Sequence, residues 1–398
     1  MAVTEAGNCV VDSKPKLWTR NFVLICLSYF TFCIAFHSLL PTLPIYIEKF
    51  GGTTGMAGLA MAALTVSAVI IRPICGWALD RYGRKFILFA GILIFMLPSM
   101  VFIFMLPIIP LLLLRFVQGF GWGIGTTSQG TVVSDIIPGK RLGEGLGFYS
   151  LANSLSLALA PAIGLFLVDR LSFQSLFINS SVLTAIALFL AMGIKYPKIE
   201  ISNKVSKMVF MEKAAVRPSM VTLLVTITYS TFLSFLALFV IQKGMATAGV
   251  FFTVLAATMF ITRPLAGMIV DKMGRVGYDL IVYTSIATII LAMIVIAQTS
   301  SALHLALGGI LYGIGFGSIQ PAMLAMCINS VAPDKKGAAN ATYWTAFDIG
   351  VAAGSVIWGI IAGYFGYVLM FYLNIIPALL ILPVYLINNK NNAKLDPV

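Results

Sequence analysis

The sequence predicts an all-α membrane protein with twelve transmembrane helices in two pseudo-symmetric six-helix halves, and three observations carry that reading. First, 60% of the 398 residues are apolar and only 10% are charged, against roughly a quarter charged in an ordinary soluble domain. With a mean hydropathy of +0.98, most side chains must face lipid or one another. Second, the apolar runs are continuous over about twenty residues, enough for a helix to cross about 30 Å of hydrocarbon. A barrel would alternate over about ten residues, and any other backbone would leave its polar groups unpaired in lipid. Third, Arg72-Pro73, Gly76 and Asp80-Arg81-Tyr-Gly83-Arg84 recur as Arg263-Pro264, Gly267 and Asp271-Lys272-Met-Gly274-Arg275, at a constant offset of 191. A repeat of that period indicates duplicated halves.

Taken in order, the spans fall at 22–47, 55–78, 86–106, 109–135, 143–168 and 174–194, then at 218–241, 247–269, 277–298, 303–330, 338–363 and 367–388. The first follows a polar stretch of 17 residues and is too long for a signal-peptide core, so it reads as an uncleaved span. The fourth carries Gly119, Gly121, Gly123 and Gly125, and the tenth carries Gly309, Gly313 and Gly317; their GxxxG spacings let helices approach closely. Pro161 in the fifth, with Gly164 nearby, predicts a kink at a moving helix. Residues 1–21 and 389–398 read as polar tails, 22–194 and 218–388 as the two halves, and 195–217 as a lysine-rich linker.

With the N-terminus inside, 20 of the 26 basic residues fall on inner segments and only Lys49, Arg170 and Lys243 on outer loops. This positive-inside pattern predicts cytoplasmic termini. It also accounts for the formal charge of +12 without a nucleic-acid partner. The remaining three, Arg72, Arg115 and Arg263, lie inside spans and need a reason to be there. The cysteines Cys9, Cys26, Cys33, Cys75 and Cys327 are isolated, with no CxxC or metal spacing. Short loops and compact size point to a prokaryotic inner membrane.

Gly76-Trp-Ala-Leu-Asp80-Arg81-Tyr-Gly83-Arg84-Lys85, between spans two and three, resembles the most diagnostic signature of the major facilitator superfamily, and a weaker copy begins at Gly267. Arg115-Phe-Val-Gln118-Gly119 resembles that family's second motif. Ala160-Pro161-Ala-Ile-Gly164 resembles its antiporter motif, with Ala where the family often has Gly. The similarity covers essentially the whole chain and implies a twelve-span exporter driven by proton entry. Ala346-Phe-Asp348-Ile-Gly350 also resembles a branch containing metallophore exporters of the opine type.

Both copies of the gating motif, Gly76, Asp80, Arg81, Gly83 and Arg84 with Gly267, Asp271, Gly274 and Arg275, place a carboxylate where it can meet the positive end of a helix from the other half. A tight turn with cytoplasmic arginines would explain the glycine and arginine but not the duplicated aspartate. Arg115, Gln118, Trp122, Thr126 and Gln129 share a stripe about 80° wide at 100° per residue, which suits a cavity wall; Arg115 could instead snorkel or tie helices together. Asp348 is the acidic residue deepest in any span and the leading proton-coupling residue, the alternative being a structural hydrogen bond, for example to Asn153 in the equivalent span. His37 could titrate in a transport cycle or simply pack. Tyr229, Gln320 and Trp344 are further cavity contacts or interhelical glue.

The expected function is a secondary active exporter of a small amphipathic organic molecule in exchange for protons. An importer, or a metallophore or metabolite exporter of the same fold, is the alternative. The expected cavity is apolar and aromatic, lined by Trp122, Tyr149, Phe232 and Trp344 beside Arg115 and Asp348. The partners are substrate, protons and lipid, the chain acts as a monomer, and no cofactor or metal is expected. The lack of HExxH and of a Ser/His pairing, with two histidines far apart, argues against an enzyme, and the lack of GxxxxGK[ST] argues against a nucleotide site.

Overall fold

The computed structural model describes residues 15–52, 54–197, 211–245 and 249–386. These residues form α1 (Arg20–His37), α2 (Leu39–Lys49), α3 (Thr54–Tyr82), α4 (Arg84–Phe102), α5 (Ile108–Ile136), α6 (Leu142–Arg170) and α7 (Phe173–Met192) in the first half. The second half contains α8 (Lys213–Gln242), α9 (Gly249–Met273), α10 (Arg275–Ala297), α11 (Ala302–Asn329), α12 (Lys336–Leu373) and α13 (Ile375–Leu386). There is no strand among the described residues.

Each expected span has a helix, with two differences that have local causes. Span one is broken into α1 and α2 at Ser38. Pro41 has no N–H to donate back along the helix. Span three ends at Phe102, short of the expected 106, because the chain turns through Met105 at a φ of 54°. The 38 residues of α12 would reach about 57 Å as one rod, far beyond a bilayer core, so α12 holds span eleven and the first part of span twelve, with the break between 363 and 367 as expected. Gly366, at a φ of 80°, turns the chain there, and span twelve continues through α13. Lys213 and Arg217, expected in the linker, belong to α8. Residues 1–14 and 387–398 and the linker segment 198–210 lie outside the described residues.

Helix ends and polar side chains are satisfied locally, as a lipid surround requires. Thr19, Ser172 and Ser301 cap α1, α7 and α11 by accepting from backbone N–H groups. Ser28 donates to the Ala187 carbonyl at 2.8 Å and Ser180 to that of Ala35 at 3.2 Å, tying α1 to α7. Large apolar side chains such as Phe86, Phe166, Phe189 and Ile241 lie exposed on the outside of the bundle, where lipid would cover them.

Within each half, α5 packs on α3 and α4, and α11 on α9 and α10; across the halves, α3 packs on α12 and α6 on α9. Small residues make the crossings close. A Cβ on Gly267 would collide with the Gly143 backbone, and one on Gly76 would lie 2.6 Å from the Ala341 Cβ. Gly83, between α3 and α4, has a φ of 90° with open space around its Cβ position, so Gly83→Ala introduces backbone strain without a clash. This substitution is expected to cost about 1–3 kcal/mol, read as a lower unfolding temperature in detergent.

Candidate functional site

At the end of the bundle that carries most of the basic residues, the two halves are latched twice. Asp80, on α3, accepts from the backbone N–H groups of Gly337 and Ala338 at 2.8 Å each, in the first turn of α12. Asp271, on α9, accepts from those of Gly143 and Glu144 at 2.7 Å each, in the first turn of α6. First-turn N–H groups lack intrahelical acceptors and form the positive pole of the helix, so a carboxylate satisfies both needs at once. The 191-residue repeat thus becomes a pair of equivalent carboxylate-to-helix contacts.

The basic members of the motif are less symmetric. Buried Arg84 donates to Asp135 at 2.9 Å, to Asp80 and the Leu79 carbonyl at 2.8 and 2.7 Å, and across the halves to the Pro333 carbonyl at 3.1 Å. Lys336 reaches the Ser134 carbonyl at 2.7 Å and Asp135 at 3.2 Å. Arg81 is exposed and lies over Trp77, and Arg275 is also exposed.

Deeper in the bundle, Asp348 on α12 is ion-paired to Arg72 on α3. Arg72 Nε and NH2 lie 2.9 and 2.8 Å from the same carboxylate oxygen, and NH1 donates to the hydroxyls of Thr126 and Thr127 at 3.0 and 2.9 Å. The guanidinium also sits 5.8 Å from the centre of the Trp344 ring. Asn153 does not bond Asp348, the alternative entertained from sequence; its Oδ1 lies 3.0 Å from His37 Nε2.

A small cavity of about 10 Å³ lies between the halves, lined by Tyr29, Tyr149, Ser150 and Asn153 from the first and by Arg263, Gln320, Tyr343 and Trp344 from the second. Buried Arg263 donates through NH1 to the Ser150 carbonyl at 2.8 Å and through NH2 to Gln320 Oε1 at 2.5 Å. It has no carboxylate partner among the described residues. Tyr29 and Tyr149 stack with ring centres 4.3 Å apart.

The expected site residues therefore separate into groups. Asn153, Gln320 and Trp344 share the cavity wall, His37 joins it through Asn153, and Asp348 adjoins it through Arg72 and Trp344. Trp122 stacks on Phe36 at 3.8 Å, with His37 at 6.1 Å. Arg115 instead lies buried inside the first half, bonding Gln118 at 2.5 Å, which donates to Ser99 at 2.8 Å. Gln129 is buried on the same helix. Tyr229 stacks on Phe316 at 4.5 Å, and Phe232, expected on the cavity wall, packs against Phe251 and Tyr312 in the core of the second half. The site residues missing from the sequence-based set are Arg72 and Arg263. Their signal was present as intramembrane arginines at equivalent positions of the repeat.

The family model described as Major Facilitator Superfamily matches residues 25–355 and 276–397. The multi-drug resistance efflux pump PmrA of Streptococcus pneumoniae is 27% identical over 89% of this chain and 92% of its own. The multidrug resistance protein MdtG of Rahnella is 23% identical over 93% of each. Among solved structures, the human organic anion transporter MFSD10 superposes with a TM-score of 0.80 over 94% of this chain and all of its own, at 17% identity, a likeness of fold.

Proposed function

The chain belongs to the Major Facilitator Superfamily, and on that premise we propose that it is a secondary active exporter that moves a small amphipathic organic molecule outward as protons enter, by alternating access of the central cavity. The observation that carries this reading is the Arg72–Asp348 pair, which joins the two halves beside the cavity. Neutralising Asp348 with a proton removes the attraction that holds Arg72. The same event thereby loads a proton and loosens the interface between the halves.

The inter-half hydrogen bonds and ion pairs among the described residues lie at the basic end or at the level of the cavity. We assign the basic end to the cytoplasm from the lysine and arginine distribution, so this arrangement corresponds to a closed inner gate and an outward-facing cavity. Both termini then lie in the cytoplasm of a cell-membrane protein. One chain supplies both walls of the cavity, which supports a monomer as the working unit. The names of the relatives from Streptococcus pneumoniae and Rahnella support efflux.

The test is reconstitution into proteoliposomes with a trapped pH-sensitive dye and a panel of amphipathic organic molecules. Substrate added on the cytoplasmic face is expected to drive proton movement in the opposite direction. Substrate flux without proton movement would sink the coupling, and uptake accompanied by protons in the same direction would make the protein an importer.

A further inference from the structure

Resting on the transport reading above, we propose that Arg263 is the anion-binding subsite of the cavity and that the transported molecule is an organic carboxylate with an aromatic or apolar body. The argument begins with the repeat. Arg72 and Arg263 are equivalent positions, offset by 191, and Asp348 and Asn153 are equivalent, offset by 195. The pseudo-two-fold therefore relates the pair Arg72–Asp348 to the pair Arg263–Asn153. In the first pair the chain supplies a carboxylate for its arginine; in the second it supplies a neutral amide, and that amide is turned to His37.

Arg263 is 2% exposed, and its protein acceptors, the Ser150 carbonyl, Gln320 Oε1 and a longer contact to Met259 Sδ, are all neutral. A permanently charged guanidinium buried without a counter-charge is costly unless a ligand completes it. Three donors on or beside the cavity have no protein partner: Arg263 Nε, Trp344 Nε1 and the Tyr149 hydroxyl. A donor-rich wall with one cation suits a carboxylate, which accepts through two oxygens. The stacked Tyr29–Tyr149 pair and Trp344 offer aromatic faces for the body of such a molecule.

The experiment uses the full-length protein in lipid nanodiscs and isothermal titration calorimetry with three matched acid and amide pairs: indole-3-acetate and its amide, naphthalene-2-acetate and its amide, and phenylacetate and its amide. Wild type is expected to bind at least one acid about tenfold more tightly than its amide, as a charge-assisted contact in a dry site would give. Arg263→Gln should erase that preference and Arg263→Lys should keep part of it. Asn153→Asp, which gives Arg263 a carboxylate from the chain itself, should weaken the acid while leaving its amide nearly unchanged. Equal binding of acid and amide to wild type, no binding of any acid, or an acid preference that survives both Arg263→Gln and Asn153→Asp would overturn the subsite. Proton-coupled flux of the amides without acid preference would overturn the subsite and leave the transport reading standing; acid-selective binding without flux would do the reverse.

Discussion

Asp348→Asn is expected to reduce substrate-driven proton movement in proteoliposomes to the level of protein-free vesicles, while the protein still folds and binds substrate. Asparagine preserves the shape and one acceptor oxygen, so Arg72 keeps a hydrogen bond there as well as those to Thr126 and Thr127. What is lost is the proton-exchanging group and the charge. Because Asp348 retains some solvent access, at 16% exposure of its side chain, the stability cost should lie at the lower end for an uncompensated charge, about 3 kcal/mol or less. Arg72→Gln strands the carboxylate instead and should be at least as destabilising. The double variant Arg72→Gln with Asp348→Asn removes both charges and should recover much of the stability without recovering proton movement. That split separates coupling from architecture. Wild-type proton flux in Asp348→Asn would make the pair a structural tie between the halves.

The helices were readable because a bilayer imposes one length and one polarity on every span, and apolar runs bounded by charges report both. A boundary shifted where backbone chemistry decided it, near Pro41 in span one, whereas the break between spans eleven and twelve falls at Gly366, inside the expected gap. The latch was also readable. A carboxylate repeated at 191 residues needs a positive partner in each half, and the first turns of α12 and α6 supply it. The cavity was less so. Sequence symmetry identifies equivalent positions, but residues related by the two-fold do not face each other; each faces the equivalent of the other's partner. Asn153 and Asp348 are such a pair: Asp348 meets Arg72, whereas Asn153 shares the cavity wall with Arg263, the equivalent of Arg72, and turns its amide oxygen to His37. Helical stripes were similarly incomplete: Arg115 and Thr126 share one face of α5, yet Arg115 turns to Gln118 within its own half and Thr126 accepts from Arg72. A stripe fixes direction around a helix but not depth along it or the neighbour met at that depth.

The close crossing of α6 and α9 yields the second large effect. Gly143 and Gly267 lie backbone to backbone, with a Cβ on Gly143 only 2.6 Å from the Gly267 carbonyl oxygen. Gly267→Leu therefore cannot be accommodated by moving a flexible side chain; the helices must separate. That separation also pulls Asp271 from the Gly143 and Glu144 N–H groups. The variant is expected to fold, since each half retains its own packing, but to lose transport because the basic end no longer closes. Spin labels at Lys85→Cys and Lys335→Cys, in a background without native cysteines, would report the distance across that end. The population should move to the longer distance. Asp271→Asn tests the charge without the bulk: losing two charge-assisted contacts to a helix start, worth about 1–2 kcal/mol together, should shift the open-to-closed ratio by about tenfold. If Gly267→Leu left the distance distribution unchanged, the α6–α9 crossing would be a fixed packing contact, and opening of the basic end would have to occur at the α3–α12 latch alone.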